Sequence, residues 1–139
     1  MSGFPVLMHT AVDAPDCRGL AEFYRQLLGL RYRPWDEPPD DGSEDDADWL
    51  VLVDSRGQRV LAVQRKTELV RSTWPSEDVP MQMHMDFRVP TLEELHRHRQ
   101  RAEALGATLL HDRSQDGGEP LSVLADPAGR PFCLLVAPE

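Results

Sequence analysis

Residues 81–89 read Met-Gln-Met-His-Met-Asp-Phe-Arg-Val. Apolar Met81, Met83, Met85, Phe87 and Val89 alternate with polar Gln82, His84, Asp86 and Arg88. A side-chain period of two predicts a β-strand with one face packed on a helix and the other facing something wetter. A helix start follows directly, with Thr91 at the N-cap and Glu94 three residues on as a capping box. Leu92, Leu95, Ala102 and Leu105 give that helix a buried stripe, and Gly106 ends it. Strands are predicted at 108–111, 121–125 and 132–137, the last two joined by the turn Asp126-Pro127-Ala128-Gly129.

The same order stands once before it in the chain. A strand over Val6–Val12 contains His9, and Asp16 caps a helix carrying Leu20, Phe23, Tyr24, Leu27 and Leu28 on one face. Gly29 sits where that helix stops, a short strand covers Leu30–Arg33, and strands at Trp49–Asp54 and Arg59–Arg65 flank a Ser55-Arg56-Gly57 turn. His9 and His84, Gly29 and Gly106, and Gly57 and Gly129 are therefore equivalent points of an internal duplication. Two copies cannot make a solenoid. The expected fold class is α+β: two βαβββ modules forming curved mixed sheets around a cleft, with the helices on the convex face. Residues 1–139 are expected to form one domain, with module 1 at about 5–68, a linker at about 69–80 and module 2 at about 81–138.

The 139 residues carry a net charge of -9, which argues against nucleic acid and against anionic membranes. No stretch reaches the roughly 20 apolar residues of a membrane helix, and the N-terminus lacks a signal-peptide pattern. Cys17 and Cys133 are too few for a disulfide framework, so a reducing cytoplasm is the expected location. Residues 36–48 hold eight carboxylates and no basic residue, without the spacing of a calcium loop. They read as a solvated loop or as a lid that recruits a cationic ligand. No Ser–His–Asp order, phosphate-cradling glycine loop or dinucleotide fingerprint is present.

The segments "AEFYRQLLGL", "MQMHMDFRV" after a Trp–Pro loop, "ALGATLL" and "LADPAGRPFCLLV" resemble the vicinal oxygen chelate superfamily. This superfamily includes glyoxalase I, bleomycin-resistance proteins and extradiol dioxygenases, and the likeness is greatest to short, glyoxalase-like actinobacterial proteins. The resemblance implies a metal ligand on the first and last strand of each module. It places His9 and His84 at the two first-strand positions, where two imidazoles would suit Zn²⁺, Fe²⁺ or Ni²⁺. At the last-strand positions, where metal-binding members carry glutamate four residues beyond the turn glycine, this chain has Cys133 in module 2. Gln64 is nearest in module 1. The ligand-binding cleft is expected to use His9, Trp49, Gln64, Gln82, His84 and Asp86. For His84 the alternative is a structural histidine bonded to Asp86 or Asp13, and for His9 a core histidine. Trp74 lies in a loop between the modules, and His96, His98 and His111 read as surface residues.

The function these features imply is a small-molecule binding protein that sequesters a toxic or antibiotic compound without catalysis or cofactor. The alternative is a divalent-metal-dependent lyase, isomerase or dioxygenase acting on vicinal oxygens. A homodimer is the expected assembly.

Overall fold

A computed structural model describes residues 3–137. Two helices and eight strands form two compact units, residues 1–69 and 70–139. The first unit runs β1 (Thr10–Ala14), α1 (Cys17–Leu28), β2 (Arg31–Tyr32), β3 (Trp49–Val53) and β4 (Arg59–Arg65). The second runs β5 (Met85–Val89), α2 (Leu92–Ala104), β6 (Thr108–Arg113), β7 (Leu121–Ala125) and β8 (Pro131–Val136). Each unit holds one four-stranded mixed sheet, ordered β1-β4-β3-β2 and β5-β8-β7-β6. In both, the first strand pairs parallel to the last and the remaining pairs are antiparallel. This is the α+β duplication the sequence predicts.

The helices form for the reasons legible in the chain. Asp16 caps α1 by accepting from the Gly19 amide at 2.9 Å, and Gly29 closes it in the left-handed region at φ 67°. Leu20, Phe23, Tyr24 and Leu27 are buried, each stabilising the unit by roughly 1.5–3 kcal/mol on transfer grounds. Thr91 caps α2 through the Glu94 amide at 3.1 Å, but the Glu94 carboxylate turns to Arg97 and His98. The α2 stripe is narrower than expected. Leu95 and Ala102 are buried, Leu105 is half-buried and Leu92 is 41 % exposed.

The two β-hairpin turns are copies of each other in detail. Asp54 accepts from the Arg56 and Gln58 amides at 2.8 and 3.0 Å, and Asp126 accepts from those of Ala128 and Arg130 at 2.9 and 3.0 Å. Gly57 and Gly129 follow at φ 79° and 88°, a conformation that glycine adopts without strain.

Both long first strands predicted from alternation are shorter in the structure. The alternation at 81–84 does not belong to a strand: Gln82 has φ 61°, the Met83 amide bonds to the Met81 carbonyl at 2.7 Å, and Met83 is 76 % exposed. The reason lies in the partner strand. Met85 pairs with Phe132, and β8 begins at Pro131, so residues before His84 have no strand beside them and Pro131 has no amide to offer. Likewise β1 starts at Thr10, because Thr10 pairs with Leu61 and β4 is bulged just before that point. Val6, Leu7 and Met8 are exposed.

Candidate functional site

Cross-strand partners point to the same side of a sheet, so the pairing registers define rows of side chains. In the second sheet Asp86 pairs with Cys133, Cys133 with Val123, and Val123 with His111. These four residues form one row across all four strands, on the side opposite Phe87 and Phe132. His111 reaches the row through a bulge: Leu109 pairs with Leu124 and His111 with Val123, leaving Leu110 as the extra residue.

At the β5 edge of the row three ligating groups converge. His84 Nε2 lies 3.3 Å from Asp86 Oδ1, and both side chains are exposed. The Cys133 thiol is buried and stands beside the Asp86 carboxylate. A nitrogen of His84, an oxygen of Asp86 and Cys133 Sγ all lie within 4.8 Å of one another. Burial and the adjacent Asp86 carboxylate push the Cys133 thiol up to about 12, so it carries its proton at neutral pH. At the other edge, the Trp74 ring meets His111 edge-on with centroids 6.3 Å apart. The Trp74–Pro75 peptide is cis.

In the first sheet the corresponding places on β1, β4 and β3 are apolar. Ala11 pairs with Ala62 and Ala62 with Val51. Val51, Val53 and Ala62 form a buried cluster against which Trp49 packs. His9 lies two residues before Ala11 and its ring is 5.8 Å from that of Trp49. His9 Nδ1 is buried without a hydrogen-bond partner among the described residues. Gln64 pairs with Trp49 and with Asp13, which puts it on the same face, exposed.

The structure therefore brings His9, Trp49 and Gln64 to one face of the first sheet, and His84, Asp86 and Cys133 to one edge of the second. Gln82 lies outside β5 in a turn. The rough pairing of Gln64 with Cys133 is corrected by the register: Cys133 corresponds to Ala62, and Gln64 to Leu135, because Asp13 pairs with Gln64 and Arg88 with Leu135. Val60 is the cause. Leu52 pairs with Leu61 and Val53 with Arg59, so Val60 is an extra residue in β4 that offsets counting from Gly57. His111, expected at the surface, is exposed and also joins the polar row; the bulge that turns it there leaves no mark in hydropathy.

The acidic segment 36–48 contains no helix or strand and is tied down at Asp36, at Asp45 and at Asp48, whose carbonyl accepts from the Arg65 amide at 2.8 Å. Arg18 bonds to Asp45 at 2.6 Å and to the Asp36 carbonyl at 2.6 Å, with its guanidinium 4.9 Å from the Tyr32 ring centroid. Asp36 accepts from the Val51 amide at 2.9 Å and pairs with Arg33.

A family model described as a glyoxalase-like domain matches residues 9–135, from His9 to Leu135 and through both units. The chain belongs to the glyoxalase-like domain family. Solved structures similar to it lie in the wider glyoxalase/bleomycin resistance/dioxygenase group. One is a glyoxalase/bleomycin resistance protein/dioxygenase family enzyme from Burkholderia phytofirmans PsJN, with a TM-score of 0.67 and 17% identity over 93% of this chain and 96% of that chain. A second is the fosfomycin resistance protein FosX from Mesorhizobium loti, with a TM-score of 0.66 and 13% identity over 96% of this chain and 93% of that one. FosX from Listeria monocytogenes gives a TM-score of 0.67 and 15% identity over 96% of this chain and 94% of its own. At these identities the likeness is one of fold. No curated protein sequence matches the chain.

Superfamily members often use divalent metals. The donors of this glyoxalase-like chain fit such an ion in the second unit, where imidazole nitrogen, carboxylate oxygen and sulfur converge. In the first unit, the row equivalent to Asp86 and Cys133 offers only Ala11 and Ala62. Among the described residues, no helix is long and apolar enough to cross a membrane.

Proposed function

We propose that this glyoxalase-like protein binds a small molecule on the face of its second sheet that carries Asp86, Cys133, Val123 and His111, and that it holds the compound without transforming it. The observation that carries this reading is the polar row itself. A carboxylate and a thiol stand where the sister sheet carries Ala11 and Ala62, and the row runs on through Val123 to the His111 imidazole. Four strands span about 14 Å at the usual interstrand spacing, enough for a drug-sized ligand. Asp86 supplies negative charge at one edge, while Trp74 and His111 supply aromatic faces at the other. Together with the net charge of -9, this favours a cationic compound with a flat apolar part. Cys133 supports binding over catalysis, because a protonated thiol stands where metal-using relatives carry a glutamate.

A thermal-shift screen of cationic aromatic compounds tests the reading. A ligand at about 100 times its Kd raises stability by about 2.7 kcal/mol, a readily measured increase in Tm. Asp86→Asn and His111→Ala should each reduce the shift for the same compound. No shift with any compound, alongside metal-dependent turnover, would reject it.

A metal-dependent lyase, isomerase or dioxygenase is the second reading, and the His84–Asp86–Cys133 cluster favours it. Its mark would be product formation that a chelator abolishes and a divalent ion restores.

A further inference from the structure

The geometry points to a self-complementary docking face at the β2 edge of the first sheet, where Trp35 of one copy of this chain seats in a cavity of a second copy, and the reverse. This face lies in the first unit and is independent of what the second sheet binds.

Three observations carry it. First, the face carries a knob. Arg33, Pro34, Trp35 and Asp36 form a tight turn in which the Asp36 amide donates to the Arg33 carbonyl at 3.0 Å. Pro34 takes its second place and Trp35 its third, at φ 79°, where such a turn normally has glycine. The turn is fastened on both sides of Trp35. The Arg33 amide donates to the Val51 carbonyl at 2.9 Å, and the Asp36 carboxylate accepts from the Val51 amide at 2.9 Å. Arg18 holds the Asp36 carbonyl at 2.6 Å. Trp35 is nevertheless 95 % exposed, the most exposed large apolar side chain among the described residues. A fastened backbone thus presents an indole to water, and tryptophan is among the residue types most enriched as anchors of protein interfaces.

Second, a hole stands beside the knob. An open cavity of about 580 Å³ is lined by Tyr32, Pro34, Pro38 and Val53 together with Arg31 and Glu37. Trp35 does not line it, although Pro34 next to it does. The volume is ample for an indole. Because knob and hole adjoin in the chain, a two-fold axis exchanges both contacts at once and closes the assembly at two copies.

Third, the charges around the cavity are unpaired within the single chain. Arg31 bonds to the Asp54 and Ser55 carbonyls but to no carboxylate, and Arg56, beside the cavity-lining Gly57, makes no ion pair among the described residues. Glu37, Asp40, Glu44 and Asp46 of the acidic segment make none either. The same two-fold exchange brings the acidic segment that follows Trp35 toward the arginines of the second copy, so opposite charges meet twice. Two exchanged indoles cover roughly 300–500 Å², a modest part of the roughly 1,600 Å² of a standard interface. The expected dimer is therefore reversible.

Sedimentation equilibrium of the full chain tests the assignment. The unmutated protein should be a reversible dimer, and Trp35→Gly should weaken it roughly 30-fold or more. Glycine suits the backbone at φ 79°, so this variant should keep its circular dichroism and a Tm no lower than the unmutated value. Pro38→Glu, which places a carboxylate in the cavity, should weaken the dimer by a similar factor, and Arg31→Glu by about tenfold. A mixture of Trp35→Gly and Pro38→Glu chains should associate more tightly than either variant alone, since the first keeps the hole and the second keeps the knob. A chain that stays monomeric up to about 0.1 mM overturns the proposal. A dimer that Trp35→Gly leaves unchanged also overturns it, because another surface then holds the copies together. So does a mixture no tighter than its components, because Trp35 would then seat somewhere other than the cavity.

Discussion

In the first sheet Ala11, Ala62 and Val51 present only hydrocarbon; at the three matching places the second sheet presents the Asp86 carboxylate, the Cys133 thiol and Val123, and its row runs on to His111. The strands around both rows are ordered alike and pair alike, and both hairpins turn on an aspartate that gathers the same two amides. The difference shows which parts of the chain serve the fold and which are free of it. The aspartates and glycines of the two turns are the same residues twice, and buried Leu61 matches buried Phe132. On the opposite face Asp86 and Cys133 stand where the first sheet has Ala11 and Ala62.

The comparison breaks most readily at the packed positions. Leu61 and Phe132 are equivalent, and each is essentially fully buried. Phe132→Ala should cost about 4 kcal/mol and Leu61→Ala about 3 kcal/mol in chemical denaturation. A cost under 1 kcal/mol for either would show that the two sheets do not share a packing scheme.

The turn aspartates should separate the units next. Asp126 is 1 % exposed and Asp54 is half-buried, although both accept the same amides. Asp126→Ala should cost about 2–3 kcal/mol, since it strands buried donors, and Asp54→Ala about 1 kcal/mol, since water replaces the carboxylate. Equal losses in the same measurement would remove the distinction drawn from burial.

The thiols differ by a smaller margin. Burial raises Cys17 to about 11, and burial with the Asp86 carboxylate raises Cys133 to about 12, from a usual value of 9.0. Both folded values are raised, so the neutral thiol is the form that folding favours. Its contribution is fully present below pH 9 and is lost as pH rises from about 9 to about 11 for Cys17 and about 12 for Cys133. The contrast between the two amounts to roughly 1 kcal/mol. Denaturation followed across alkaline pH should show a shallower decline in Cys133→Ser than in the unmutated protein, and an unchanged slope contradicts the assignment.

The smallest effect concerns Ser122, whose hydroxyl is buried without a partner among the described residues. Its counterpart in the first sheet is Leu50, because Leu50 pairs with Val63 as Ser122 does with Leu134. Ser122→Ala should be neutral or stabilising by about 0.5–1 kcal/mol. A clear loss of Tm would mean the hydroxyl has a role the sheet alone does not reveal.

Much of this was legible in the chain. The duplication, both helix caps, Gly29, the two turn glycines and the bounds of β4 and β7 follow from local chemistry: capping oxygens, left-handed glycines and apolar spacing act over a few residues. His84 and Asp86 stand together as alternation predicts, because Asp86 lies in the paired strand and His84 directly precedes it. Gln82 was placed there wrongly because alternation alone cannot say where the neighbouring strand ends. What only the tertiary structure decided was which residues stand side by side. Single extra residues, Val60 in β4 and Leu110 in β6, shift the register between strands without changing the local pattern. Pairing depends on backbone hydrogen bonds to residues far along the chain, and a one-residue slip moves every later side chain to a new neighbour. So the sequence determined that two βαβββ units would form and that histidines would stand near their first strands. Only the folded registers set Cys133 beside Asp86, and left alanines at the matching place in the sister sheet.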